Sequence, residues 1–171
     1  MKRLTLVLAL LVVAGTAAFA QAETRAGQFG IQTSVAFTTT DPALEPRGSL
    51  GAKYMITNNM AIRAALGFAN SSGVGTGYDI AGGFEYHFGG KGGVSPYVGG
   101  ELSYSGGSPS AGSAQSQFGL NGVFGAEYFF SSNFSLAGEL QLGFLSSASG
   151  GTTTTTIGTG QALAILTWYI N

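Results

Sequence analysis

Two residues with acid–base chemistry lie close together in the chain, Glu85 and the single histidine, His87. In a β-strand a spacing of two places both side chains on one face, so a carboxylate–imidazole pair is sterically feasible. An acyl hydrolase would also need a nucleophile within hydrogen-bond reach, and one histidine with scattered carboxylates lacks the compact ligand set of a metal site. We therefore predict a structural pair, with no catalytic residue, cofactor or metal.

The other charged residues of the predicted strands fall on the same face as this pair. Lys53 and Arg63 are symmetric about Asn58, so a hairpin turning there would place both cations on one wall. Because neighbouring like charges repel, each cation needs a carboxylate from another strand. The sequence thus predicts a structural charge network, which comprises Lys53, Arg63, Glu85, His87, Glu101, Glu127 and Glu139.

The elements that carry these residues are predicted to be β-strands throughout. Apolar and polar residues alternate with a period of two, and clusters of Gly, Ser, Thr and Asn interrupt the pattern at even spacing. We place strands at 27–37, 47–56, 60–68, 77–88, 96–104, 117–130, 134–144 and 157–170.

The two faces of these strands differ sharply in chemistry. Large apolar side chains occupy one face and the charged side chains the other, and the aromatic exceptions are Tyr97, Phe129 and Tyr169. Charged residues make up 9% of the chain, against roughly 25% in soluble domains. A soluble barrel would need more surface charge, whereas a barrel in lipid has an apolar outer face and a polar lumen. The pattern predicts an all-β, eight-stranded antiparallel up-and-down transmembrane β-barrel.

The outward aromatics are predicted to form two belts at the bilayer interfaces. One belt comprises Tyr54, Tyr86, Phe88, Tyr128, Phe130, Phe134 and Trp168, and the other comprises Phe37, Phe68, Tyr78, Tyr104, Phe118 and Phe144.

The N-terminus has the composition of a secretory signal peptide. Lys2 and Arg3 precede an apolar stretch, and small residues follow at Ala18, Ala20 and Ala22. We predict a signal peptide at 1–22, with cleavage after Ala20 as the alternative, and one domain at 23–171. The absence of cysteine excludes disulfides and thiolate chemistry, and the slightly acidic charge balance gives no basis for nucleic-acid binding.

The predicted connections alternate between long and short. The long ones are 38–46, 69–76, 105–116 and 145–156, and the tight ones are 57–59 and 131–133, with 89–95 intermediate. Bacterial barrels have short periplasmic turns and longer external loops. We therefore expect extracellular loops and periplasmic termini.

The residues from Gly27 to Asn171 resemble the small eight-stranded outer-membrane barrels of the OmpA/OmpX type, the outer membrane protein beta-barrel domain family. The resemblance rests on the repeated architecture and on three phrases: the run from Ser95 to Gly100, the run from Asn59 to Arg63, and the run from Gly83 to Tyr86. It implies a monomer in the cell outer membrane of a Gram-negative-type bacterium, in contact with outer-membrane lipid and lipopolysaccharide and handled by the barrel assembly machinery. Such chains usually end in an aromatic residue, whereas this one ends in Ile170 and Asn171.

A structural or surface-interaction role with a plugged lumen is the predicted function. Three alternatives remain open at this point: a small-solute pore, a lipid-modifying outer-membrane enzyme, and a secreted, lipocalin-like ligand-binding barrel. Eight strands enclose room for little more than side chains, which disfavours the pore.

Overall fold

The computed structural model of the chain describes residues 24–37, 47–71, 75–89, 92–109 and 114–170. The predicted signal peptide, the connection 38–46 and the connecting residues 72–74 and 110–113 lie outside the described residues. No helix long and apolar enough to cross a membrane occurs in the described part. The strands within these ranges are β1 (Phe29–Phe37), β2 (Arg47–Met55), β3 (Met60–Ser71), β4 (Gly75–His87), β5 (Val94–Pro109), β6 (Gln115–Phe129), β7 (Phe134–Ser149) and β8 (Thr152–Ile170).

These eight described strands pair antiparallel with their sequence neighbours, and β1 pairs with β8 to close the barrel. The closing register runs from Phe29 opposite Ile170 to Phe37 opposite Ala162. Closure leaves no free edge along this stretch, so backbone N–H and C=O groups are paired as a membrane requires. The predicted fold class is confirmed.

Two tight turns at one end of the barrel share one construction. The hydroxyl of Thr57 accepts hydrogen bonds from the backbone N–H groups of Asn59 and Met60, and Ser131 does the same for the equivalent turn. The side-chain amide of Asn59 then donates to the carbonyl of His87 at 2.8 Å, and that of Asn133 donates to the carbonyl of Tyr169 at 2.9 Å. Each turn is therefore tied to the next strand, and His87 is held at the base of the lumen. We call this end, with residues 56–59 and 130–133, the turn end.

At the opposite end, the loop end, most strands run further than the sequence predicts. β7 and β8 continue to Ser149 and from Thr152, and only Gly150 and Gly151 separate them. Both glycines have positive φ, 56° and 83°, as a two-residue type I′ hairpin requires. The prediction of a long loop at 145–156 was therefore wrong.

The same extension shortens two other predicted loops, since β3 and β4 reach Ser71 and Gly75, and β5 and β6 reach Pro109 and Gln115. The alternation of apolar and polar residues stops where a strand leaves the hydrocarbon. Backbone pairing does not stop there, because Ser, Thr and Gly are compatible with further pairing. Periodicity therefore identifies the lipid-spanning part of each strand and underestimates its length.

The distribution of side chains is the reverse of that in a soluble barrel. Outward-facing apolar residues are widely exposed, including Phe68 at 73% and Leu140 at 62%, whereas the inward-facing Lys53 is 2% exposed. The predicted belt aromatics are exposed except Tyr128, which is half-buried. Stacked rings link Phe134 to Trp168 with centroids 6.2 Å apart. An apolar outer face of this kind is suited to contact with the hydrocarbon interior of a membrane.

Candidate functional site in the barrel lumen

The predicted charge network lies in the turn-end half of the lumen. Lys53 and Arg63 are directly opposite each other on β2 and β3, which places both cations on one wall. The carboxylates come from four other strands: Glu85 on β4, Glu101 on β5, Glu127 on β6 and Glu139 on β7. The structure brings all seven predicted residues together and buries each of them.

Arg63 contacts three of the carboxylates. Its two terminal nitrogens form a paired contact with Glu139, at 2.5 and 2.8 Å, the planar fork that suits guanidinium and carboxylate. The same nitrogens donate to Glu85 at 3.1 Å and to Glu101 at 2.6 Å. One guanidinium thus crosslinks β3 with β4, β5 and β7 across the lumen.

Lys53 forms a second layer nearer the turn end. Its ammonium lies 2.6 Å from Glu85 and 2.8 Å from Glu127, and 5.5 Å from the centre of the Tyr97 ring. Glu85 belongs to both layers, because its other oxygen contacts Arg63. The two cations therefore act as one connected network.

Four carboxylates outnumber the two permanent cations, and neutral donors supply the remaining hydrogen bonds. Glu127 accepts from Ser135 at 2.5 Å and from Tyr169 at 2.8 Å. Tyr97 donates to Glu139 at 2.8 Å, and Gln141 donates to Glu101 and Glu139. Burying a carboxylate without such partners would be costly.

These neutral donors were missed by the sequence prediction, although part of the signal was present. Tyr97 and Tyr169 are two of the three aromatic residues that lie on the polar face of their strands, and both are buried in the lumen. An aromatic with a hydroxyl on an otherwise polar face can donate from that hydroxyl while its ring fills space. Phe129, the third exception, stacks on Tyr169 with ring centroids 5.7 Å apart.

Ser95, His87 and Glu85 form an arrangement with the composition of a hydrolase triad. The His87 Nδ1 lies 2.9 Å from the Ser95 hydroxyl, and its Nε2 lies 3.0 Å from Glu85. Ser95 is 3% exposed and His87 is fully buried, while Lys53 also contacts Nε2 at 3.2 Å. A nucleophile must meet its substrate, and this serine faces a packed lumen rather than lipid or solvent.

Beyond the network, towards the loop end, the lumen contains a cavity of about 200 Å³ with both polar and apolar lining residues. Arg63, Glu101, Glu139 and Gln141 line it at the boundary with the network. The opposite side of the network is packed by the buried residues Met55, Ala61, Phe129 and Tyr169. Among the described residues no group of histidine, cysteine or acidic side chains has a geometry that suits a metal ion.

Glycine opposite Tyr97 makes room for this packing, and its replacement is expected to be costly. A Cβ at Gly125 would overlap the ring and hydroxyl of Tyr97. We expect Gly125→Ala to displace the tyrosine from Glu139 and to lower the free energy of unfolding by about 1 to 3 kcal/mol. Urea titration in lipid, followed by Trp168 fluorescence, measures this.

Gly138→Ala is the matched control, since no atom lies within 4 Å of the added carbon. Equal costs for the two substitutions would contradict the packing of Tyr97 on Gly125.

Comparison with known proteins supports the same architecture. The family model for the outer membrane protein beta-barrel domain matches residues 6–163. The crystal structure of the outer membrane protein OprG from Pseudomonas aeruginosa is similar, with a TM-score of 0.57 at 13% identity, covering 88% of this chain and 99% of that chain.

The N-terminal beta-barrel domain of Pseudomonas aeruginosa OprF is also similar, with a TM-score of 0.52 at 14% identity, covering 85% of this chain and 98% of that chain. At these identities the two likenesses show a shared fold alone. No curated protein sequence matches. Because the family model spans most of the chain and the outer face is apolar, this chain belongs to the outer membrane protein beta-barrel domain family and is an integral protein of the cell outer membrane.

Proposed function

We propose that this protein is a closed, non-catalytic barrel that anchors an interaction surface in the outer membrane. The observation that carries the proposal is the network around Arg63, whose contacts with Glu85, Glu101 and Glu139 span the lumen. Buried ion pairs are held in one arrangement, because removing one partner leaves the other charge uncompensated. Such a lumen favours a structural role over a pore.

The catalytic alternative has weaker support than the structural one. The Ser95–His87–Glu85 arrangement has suitable distances, but it is buried among Lys53 and Tyr97. The same contacts fit a histidine that fills space and joins two strands. We therefore assign these residues to the network.

The working surface in this proposal is the paired sheet that continues beyond the outer aromatic belt. Phe144 on β7 lies opposite Ile157 on β8, and the hairpin continues past both to Gly150 and Gly151. Its residues, 145–156, are Leu145 followed by Ser, Ala, Gly and Thr, without any charge. We place this end outside the cell and the turn end in the periplasm, in keeping with the lengths of loops in bacterial barrels.

Conductance in planar lipid bilayers tests the closed lumen. We expect no steady ionic current from the wild-type barrel, because the contacts of Arg63 span the lumen. A variant carrying both Arg63→Ser and Glu139→Ser removes one cation and one anion together, so it widens the lumen without changing its net charge.

The double variant should conduct more than the wild type once Trp168 fluorescence has shown that it is folded. A wild-type barrel with a steady current equal to that of the double variant would contradict the proposed closure.

A further inference from the structure

The cavity between the charge network and the loop end has the size of a site for a small molecule. Its volume is about 200 Å³, and Arg63, Glu101 and Glu139 line it where it meets the network. Sites for drug-sized ligands occupy roughly 300 Å³ or more, so a ligand of this cavity must be smaller. We call this cavity, with Asp79, Gln141 and the three network residues in its walls, the lumen pocket.

The charges that face the lumen do not balance among the side chains that the structure describes. Leaving His87 aside, five carboxylates face the lumen and two cations oppose them, a difference of three negative charges: Asp79, Glu85, Glu101, Glu127 and Glu139 against Lys53 and Arg63. Three of these carboxylates line the lumen pocket, namely Asp79, Glu101 and Glu139. A cation that enters the pocket is therefore attracted, and the surrounding protein screens the attraction less than water does.

Asp79 is the carboxylate of the lumen pocket that stands outside the network. It lies on β4 opposite Gly67 of β3, and a Cβ at Gly67 would overlap its carboxylate, which therefore lies against the bare backbone of that glycine. No cation with a described side chain pairs with Asp79. Asp79 is also exposed, whereas Glu101 and Glu139 are buried and contact Arg63. Its carboxylate is thus the charged group of the pocket that a ligand can reach.

The opposite wall of the lumen pocket presents an oxygen whose orientation the network fixes. Ionised carboxylates only accept hydrogen bonds, so the amide nitrogen of Gln141 must face Glu101 and Glu139, at 3.0 and 2.9 Å. The Gln141 oxygen then accepts from the amide nitrogen of Gln161 at 3.0 Å. This leaves the Gln161 oxygen as an acceptor to which no described group donates. Gln161 on β8 and Asp79 on β4 both line the pocket, and their strands are four apart in a ring of eight.

Apolar residues also line the lumen pocket, between these polar groups. They are Ala36, Ala65, Ala81, Leu163 and Ile165. A ligand that fits both kinds of wall needs hydrogen-bond donors at its ends and an apolar middle. An alkyl chain with an ammonium at each end has this form, whereas a sugar or other polyol would place hydroxyl groups against the apolar side chains, where they lose their hydrogen bonds to water.

We propose that the lumen pocket binds a small aliphatic diamine in its protonated form, with one ammonium at Asp79 and the other at the oxygen of Gln161. An ammonium has three donors and no acceptor, which matches walls that present acceptors. The contact with Asp79 is a charge-assisted hydrogen bond, which is about twice as strong as a neutral one. This inference goes beyond the anchoring role proposed above, and it does not depend on what the loop end contacts outside the cell.

An extended dication fits the lumen pocket better than a divalent metal ion does. Ca²⁺ takes about 6 to 8 oxygen ligands at roughly 2.3 to 2.6 Å, and Mg²⁺ requires a near-ideal octahedron, so the ligands of either ion must converge on one point. Asp79 and Gln161 belong to opposite walls, and the part of the chain that the structure describes holds no group of acidic or histidine side chains with the geometry of a metal site. A molecule with two cationic ends reaches both walls at once.

Titration with 1,4-diaminobutane tests the proposal on the protein in nanodiscs of phosphatidylcholine, a lipid without net charge. Isothermal titration calorimetry, with empty nanodiscs as the blank, should show saturable binding of one diamine per barrel. n-Butylamine keeps one ammonium and should bind about tenfold more weakly, since it loses the contact at Gln161. 1,4-Butanediol has the same chain length without charge and should show no saturable binding.

Two variants locate the binding at Asp79. Asp79→Asn removes the charge at nearly constant size and should weaken diamine binding by about tenfold or more, whereas Asp79→Glu keeps the charge and should retain most of the binding. Trp168 fluorescence checks that both variants are folded. A failure of this proposal would leave the closed lumen intact, because bilayer conductance measures the closure separately.

Three results would overturn the proposal: no saturable binding of the diamine, equal binding of 1,4-butanediol, or equal binding by Asp79→Asn. Magnesium chloride that displaces the diamine at equal concentration, and that no longer binds to Asp79→Asn, would assign the lumen pocket to an inorganic cation instead.

Discussion

Arg63→Ala is expected to lower the free energy of unfolding by about 3 to 5 kcal/mol, the range for breaking a buried ion pair by removing one partner. The guanidinium contacts Glu85, Glu101 and Glu139, so its loss leaves three carboxylates in the lumen with fewer donors. The intact network adds less net stability than this figure, because burying the charges is itself costly. Urea titration of the refolded barrel in lipid, followed by Trp168 fluorescence, measures the difference.

Two further variants separate the charge effect from the loss of packing. Ser149→Ala, at an exposed position in the hairpin at the loop end, should change the free energy of unfolding by at most about 0.5 kcal/mol. Combining Arg63→Ala with Glu139→Gln removes one of the unpaired charges and should recover part of the loss. If Arg63→Ala is no more costly than Ser149→Ala, the network does not stabilise the barrel.

Leu140→Arg is expected to destabilise the membrane-inserted barrel by roughly 2 to 4 kcal/mol, the cost of a cation near the bilayer midplane. Leu140 lies in the middle of β7, is 62% exposed and points away from the lumen. Leu140 faces lipid, so the guanidinium of the substituted arginine would have no counter-ion there. Folding yield and urea titration in lipid vesicles both report the effect.

Gln141→Arg, at the adjacent residue, is the matched control because its side chain points into the lumen. Gln141 already contacts Glu101 and Glu139, so a cation at this position meets two carboxylates. We expect a smaller loss than for Leu140→Arg. Equal losses at the two positions would mean that β7 does not alternate between lipid and lumen.

The orientation of each strand could be predicted from the sequence because a strand has a period of two. Once large apolar residues such as Phe124 and Leu140 are assigned to lipid, Glu127 and Glu139 must face inward. The shared wall of Lys53 and Arg63 was also predictable, since both are equally distant from Asn58 and a hairpin pairs such residues. These inferences use local geometry alone.

The partners within the network could not be predicted in this way. Arg63 on β3 meets Glu139 on β7, and Lys53 on β2 meets Glu127 on β6, contacts that cross the lumen. Which carboxylate lies opposite which cation depends on how the closed sheet staggers its strands. The contacts of Ser95 with His87 and of Ser135 with Glu127 differ, because each joins two strands that are neighbours in sequence and follows from their pairing register.

The sequence by itself determined the fold class, the membrane-facing surface and the set of inward charges. The alternation of apolar and polar residues and the low content of charged residues can both be observed directly along the chain. Only the tertiary structure decided the ion-pair partners, the burial of Ser95 and His87, and how far β8 continues beyond the end of β1. These features depend on distances between strands that are far apart in sequence and on where one strand extends beyond its neighbour. The alternation of side chains within a single strand carries no information about either.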